Sequence, residues 1–321
     1  MGKLKIKKGV KKIFGIVIVL ALLLSIGIFS YIKIYNQKQY EKTYEYKLTN
    51  IGYNENEIDT ILDKFKETEI EYILQNEKND NYLNLVNEKY FIYDNFYEYV
   101  DYQKDHLDKP LTNIVEIINT ETDKEYYTET TKTSISDKEL MLVNKYHYLD
   151  ESYKPETLVS ISTTYAWGEY GSKKVTQETY DAFMNLWNDS HEQGYYLMVS
   201  SAYRDYNHQQ SVYNDYKDSR GTEYADSIAA RAGYSEHQTG YVIDMFEKGS
   251  TQKTFHETES YACLLDNAHK YGFILIYPED KEDVTGYSFE SWHYRYVGVE
   301  AATYIYKNHI TFDEYYAYFV K

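Results

Sequence analysis

The sequence predicts an α+β fold with an antiparallel sheet in its C-terminal half, preceded by a membrane-spanning helix and a small helical region. Three observations carry this. A charge-free run of twenty residues lies near the N-terminus, and residues 35 to about 109 show helical stripes without strand alternation. From about Leu140, helical stripes and short apolar strands then follow one another without a regular βαβ repeat, which favours an antiparallel sheet.

Taken in order, residues 1–12 form a basic tail. They hold six lysines and no acid, so the remaining chain carries −23 against a total of −17. Phosphate binding needs Lys and Arg gathered on one face, so this balance excludes nucleic acid as a partner. Residues 13–32, "IFGIVIVLALLLSIGIFSYI", are long enough as a helix to cover about 30 Å of hydrocarbon. Lysines before the run and an acidic body after it predict the N-terminus inside and the rest outside. The run is longer than a signal-peptide core, and no small-x-small site follows it. An uncleaved anchor is therefore expected rather than a signal peptide.

Residues 35–139 read as a mainly helical spacer region outside the membrane. Ile58, Ile61, Leu62 and Phe65 make one stripe, and Asn54 or Asn56 can cap it. Pro110 interrupts the pattern. Ile114, Val115, Ile117 and Ile118 suggest a strand, and the Thr- and Glu-rich stretch 120–137 suggests a loop. The 41 tyrosines are read as a codon bias rather than a binding surface, and the single Cys263 excludes an internal disulfide.

Residues 140–321 form the mixed domain. Thr176 can cap a helix with the stripe Tyr180, Phe183, Met184 and Trp187, ending near Gly194. "YYLMVSSA" (195–202) reads as a buried strand, followed by a turn and helix from Arg204, then a second helix over about 222–230. "YVIDMF", "FILIYP" and "WHYRYVG" read as strands, and Tyr261, Leu264, Leu265 and Ala268 as a helix closed by Gly272.

Chemistry gathers in two of these segments. Asp244 lies between Ile243 and Met245, where an unpartnered carboxylate is costly to bury, and His237 sits seven residues before it across Gly240. Glu290 and His293 form an E-x-x-H unit in "FESWHYRYVG". Two imidazoles and a carboxylate are a recurrent three-ligand zinc set, and a second carboxylate can act as base. His237, Asp244 and His293 suit the ligands and Glu290 the base. Arg204, Arg231 and Arg295 compete as the cation that meets developing negative charge.

"SAYRDYNHQQ", "GYSEHQTGYVID" and "ESWHYRYVG", in this order and spacing, resemble the three motifs of the VanY-type D-alanyl-D-alanine carboxypeptidases. These are zinc peptidases of family M15 with the hedgehog/DD-peptidase fold. The likeness covers roughly residues 140–321. It implies one Zn2+ on His237, Asp244 and His293, Glu290 as the catalytic base, Ser235 facing substrate, Arg204 on the substrate carbonyl or carboxylate, and Gln209 in the binding pocket. The implied substrate is a peptidoglycan stem peptide ending in D-Ala-D-Ala, met outside a cytoplasmic membrane that holds the N-terminal helix. A D,D-dipeptidase, an endopeptidase or a non-catalytic wall-binding module are the rival readings. The anchor argues against the first and retention of Glu290 against the last. Val242, Ser291 and Ile276 replace the family's usual Ala, Pro and Arg, which puts pocket shape in question.

Overall fold

The computed structural model describes residues 8–167 and 173–321. The first seven residues, with Lys3, Lys5 and Lys7 of the expected basic tail, lie outside the described residues. The chain divides into two compact units, one ending at Asn87 and one spanning Glu88–Lys321.

The first unit begins with α1 (Lys8–Tyr40), of 33 residues. Its stretch Val19–Tyr40 is long and apolar enough to cross a membrane, and Leu24 and Phe29 on it are 68% and 71% exposed. Four short helices follow: α2 (Tyr44–Asn50), α3 (Glu55–Lys64), α4 (Glu67–Gln75) and α5 (Asn81–Val86). Asn54 and Glu57 close a reciprocal cap at the start of α3, 3.1 and 2.7 Å, which satisfies two orphan N–H groups. Ile58, Ile61 and Phe65 of the expected stripe are buried.

The second unit starts before the expected boundary at 139/140. Its first helices are α6 (Phe96–Asp105) and α7 (Leu111–Asn119). α7 corrects the strand expected at Ile114–Ile118. Positions 114, 115, 117 and 118 are i, i+1, i+3 and i+4, which lie on one helical face, and all four are buried. Pro110 stands immediately before the first turn, so it opens this helix rather than preventing it. Ion pairs from Lys281 to Glu116 (2.9 Å) and from Lys109 to Asp283 (2.7 Å) tie this segment to the C-terminal part of the unit.

β1 (Thr131–Lys132), within the stretch 120–137, pairs in parallel with β2 (His147–Tyr148), and further on β3 (Val159–Ser160) pairs antiparallel with β4 (Lys174–Val175). Thr176 caps α8 (Gln177–Glu192) as its sequence requires. The remaining elements are β5 (Leu197–Ser201), α9 (Tyr206–Arg220), α10 (Thr222–Ile228), β6 (Val242–Glu247), α11 (Glu259–Asn267), β7 (Phe273–Leu275), α12 (Glu282–Thr285), β8 (His293–Tyr296), α13 (Val299–Asn308) and α14 (Phe312–Phe319).

β5, β6, β8 and β7 form one sheet in that order, every pair antiparallel. Phe183 and Leu186 of α8 pack with Val199, Ile243, Met245, Phe273 and Tyr294 from the four strands in one apolar cluster. Burying side chains of this size contributes roughly 1.5–3 kcal/mol each. Side chains alternate across a strand. With Ile243, Met245 and Tyr294 turned into the cluster, Asp244, His293 and Arg295 belong to the opposite face.

Candidate metal centre

Pairing of β6 with β8 sets Asp244 directly opposite His293. His237 arrives from the 3-10 turn Glu236–Thr239, which closes on Gly240 at φ 77°. Gly is required there twice over. The left-handed backbone disfavours a side chain, and a Cβ would meet Pro155 Cγ at 3.0 Å and Leu158 and Thr176 at 3.2 Å. The turn therefore returns the chain tightly enough to bring His237 Nε2 within 3.5 Å of Asp244 Oδ2. His293 Nδ1 lies 3.5 Å from Asp244 Oδ1 and 3.3 Å from Glu290 Oε2.

Each imidazole is oriented by its other nitrogen. His237 Nδ1 donates to the Ala202 carbonyl at 2.7 Å, which leaves the Nε2 lone pair facing Asp244. His293 Nε2 donates to Glu236 Oε2 at 3.2 Å, which leaves Nδ1 facing the same point. The donor atoms of His237, Asp244 and His293 lie within 4.8 Å of one another, and all three residues are buried. Among the described residues Asp244 Oδ1 has no hydrogen-bond partner, an expensive state for a buried carboxylate unless a cation meets it. Donors about 2.0–2.2 Å from a tetrahedral zinc stand roughly 3.4 Å apart, close to the spacings here. The residues fit a zinc ion.

Electrostatics agree with that fit. Burial pushes the Asp244 carboxyl up to about 6. Burial also pulls His293 down, but its contacts with Glu236, Glu290 and Asp244 outweigh this and hold it up to about 10. His237 falls well below its usual range through burial, with Arg204 and His293 adding to the effect. The surroundings thus disfavour an isolated carboxylate at Asp244 and keep His237 neutral, while the acids around His293 hold on it a positive charge whose proton a bound dication would displace.

The remaining expected residues line one cleft with the metal centre. Arg204 follows a register shift in β5 between Val199 and Ser201. Its guanidinium donates to Gln209 Oε1 at 2.6 Å and to Ser201 Oγ at 3.2 Å. Gln209, 1% exposed, in turn donates to the Ala230 carbonyl at 2.7 Å. Ser235 and Glu290 line the same cleft. The rival arginines are committed elsewhere: Arg231 pairs with Asp226 at 2.8 Å, and Arg295 with Glu236 at 2.7 Å.

Glu236 was not expected from the sequence, and Arg295, a rival there for the substrate-facing cation, has a different role. Glu236 bridges His293 and Arg295 from within the metal-site turn. Arg295 is wholly buried and also donates to the carbonyls of Glu139 (2.9 Å) and Met141 (3.0 Å). Their signals were adjacency and period: Glu236 immediately precedes His237, and Arg295 follows His293 by two on a strand. The unusual Val242 and Ile276 do not line the cleft. Val242 is wholly buried opposite Arg295, and Ile276 packs in an apolar cluster with Leu142 and Val297. Ser291 is buried, its hydroxyl donating to the Gln252 carbonyl at 3.3 Å.

The model of the family VanY: D-alanyl-D-alanine carboxypeptidase matches residues 172–299. A Bacillus subtilis protein named putative carboxypeptidase YodJ is 36% identical over 181 residues, 55% of this chain and 66% of that protein. The chain spans from 45% to 66% of the length of the first three curated relatives it matches. Among solved structures, the LdcB LD-carboxypeptidase, described as revealing the basis of peptidoglycan recognition, is 33% identical with a TM-score of 0.56 and covers 61% of this chain and 92% of that one. The vancomycin-resistance D,D-pentapeptidase VanY in complex with Zn(II) is 31% identical with a TM-score of 0.48, covering 55% and 98%.

Proposed function

Since the chain belongs to the VanY family of D-alanyl-D-alanine carboxypeptidases, we propose that it is a zinc D,D-carboxypeptidase that removes the terminal D-Ala of peptidoglycan stem peptides. We place the enzyme on the outer side of the membrane, anchored by α1. The observation that carries the activity is Glu290, held 3.3 Å from His293 Nδ1 at the mouth shared by His237, Asp244 and Arg204. A carboxylate there is in reach of the proton that an attacking water must lose.

His237 Nε2, His293 Nδ1 and Asp244 would hold the zinc, which when bound polarises the scissile carbonyl and acidifies a water. Glu290 accepts the proton of the attacking water and passes it to the departing D-Ala amine. Arg204, steadied by Gln209 and Ser201, faces the negative charge of the peptide end. Glu236 fixes the His293 ring so that Nδ1 stays on the ligand side. Supporting the anchor, α1 presents exposed apolar side chains along Val19–Tyr40, with six lysines before the apolar run and an acidic body after it.

The test is the full-length protein in detergent with a peptide panel. A pentapeptide ending in D-Ala-D-Ala should lose one D-Ala and require zinc. Likeness to an LD-carboxypeptidase supplies the rival substrate, a tetrapeptide with an L,D terminal bond. Faster release from the tetrapeptide would replace the D,D assignment, and tight binding of both peptides without product would replace the enzyme by a binding module. Protease protection of residues after 40 in sealed cells would overturn the external placement.

A further inference from the structure

The cleft is larger than the chemistry at its inner end needs. Its volume is about 750 Å³, and besides the metal centre it takes in Tyr216, Arg220 and Tyr224 of α9 and α10 together with Lys253 and Phe289. The acids that line it, Glu236, Asp244 and Glu290, all belong to the metal end. Besides Arg204, the lining cations are Arg220, eleven residues beyond Gln209 at the C-terminal end of α9, and Lys253, beside Gln252 whose side chain donates to Ser200 Oγ.

Two exposed cations in a molecule of net charge −17 ordinarily find surface acids. Arg220 and Lys253 make no ion pair among the described residues. The Arg220 guanidinium instead lies 4.6 Å from the Tyr224 ring centroid, a contact that holds its plane while leaving its N–H groups free. Tyr216 stands beside Tyr224 with ring centroids 6.4 Å apart, so the outer wall is an aromatic surface edged by a cation.

We propose that this outer end is a subsite for a carboxylate carried by an upstream residue of the peptide. The proposal rests on the carboxypeptidase reading above and deepens it. α9 supplies the scale: from Gln209, beside Arg204, to Arg220 is about 16 Å along the helix axis. An Arg side chain reaches back by several Å, and an extended peptide advances about 3.3 Å per residue. The carboxylate therefore belongs to a residue roughly two to four places before the scissile bond. A bidentate Arg contact suits a carboxylate and disfavours an amide or an amine at the same place, and Lys253 adds positive charge to the same cleft.

The test uses the full-length protein and pentapeptides ending in D-Ala-D-Ala. They differ in a free side-chain carboxylate, its carboxamide or an amine, placed in turn at the first, second or third residue. At one position the carboxylate peptide should show a KM about five-fold below its carboxamide, as an exposed charge pair supplies. R220Q and K253Q should each move that ratio towards one, and 0.5 M salt should do the same. Equal KM values for carboxylate and carboxamide at every position would overturn the subsite, as would variants that leave the ratio unchanged. Should no peptide be hydrolysed, the carboxypeptidase reading falls instead. Calorimetric Kd values for the same peptides on the wild-type protein then decide the subsite by the same comparison.

Discussion

The two ends of the cleft are built in opposite ways. At the metal end the three ligand residues and Glu236 are buried, and both rings are held by another fixed group: Ala202 holds His237, Glu236 holds His293, and Arg295 holds Glu236. Arg220, at the outer end, is exposed and leans on the Tyr224 ring, and the lining Lys253 is exposed as well. Bond-breaking tolerates little displacement of the reacting groups, so its residues are over-determined. Recognition of a flexible peptide gains from side chains that adjust, and each contact there is worth less.

The largest effect should come from the group that moves protons. Glu290→Gln keeps the shape and removes the base, so turnover should fall roughly 10²–10⁴-fold while zinc content by metal analysis stays at one per chain. Turnover within a factor of two of wild type would end Glu290's role and with it the sharp division between the ends.

The segment joining the ends, Tyr287–Glu290, follows Gly286, whose carbonyl accepts from Lys145. Lys145 is 1% exposed and also donates to the Asp226 carbonyl at 2.7 Å. Burial lowers its ammonium to about 8, below the ordinary 10.5. Between pH 8 and 10.5 the unfolded chain then binds more protons, so stability should rise with pH by up to about 3 kcal/mol across that window. Denaturant unfolding should show this rise in the wild type and lose it in Lys145→Met. The same slope in both proteins would place its origin elsewhere.

Glu236→Gln sharpens the comparison at the metal end. The amide cannot match the charge facing His293 and Arg295, and zinc affinity by chelator competition should weaken about 10–100-fold. Glu236→Asp should recover part of it, and an unchanged affinity would make the inner end less rigid than described. The smallest effects are the KM ratios of R220Q and K253Q. Their size relative to Glu290→Gln measures how unequal the two ends are.

Much of the metal end was legible in the chain because strand geometry is periodic. Asp244 between two apolar neighbours already implied a partner across the sheet, and the E-x-x-H unit gave a second strand to supply it. Pairing of residue 244 with 293 brought the two together. α7 was misread because a dense apolar run of β-branched residues fits a strand by composition, while its spacing fits a helix; here packing decided. Glu236 was hidden in plain view. An acid beside a histidine in sequence has no meaning until the turn points them at different partners. Val242 and Ile276 failed as markers of pocket shape because neither lines the cleft: Val242 is buried opposite Arg295 and Ile276 in an apolar cluster.

The sequence by itself determined the apolar N-terminal run, the helix caps at Asn54 and Thr176, and which residue types could bind a dication. These depend on local spacing and on the chemistry of single side chains. Only the tertiary structure decided that residues 88–139 pack with the mixed domain, that Arg295 serves Glu236 while Arg204 faces the cleft, and that Arg220 and Lys253 line one cleft with the metal centre. Such choices rest on contacts between residues far apart in the chain, 156 positions from Arg295 to Glu139 and 174 from Lys109 to Asp283, and no local pattern encodes which of several equivalent cations the fold will bury.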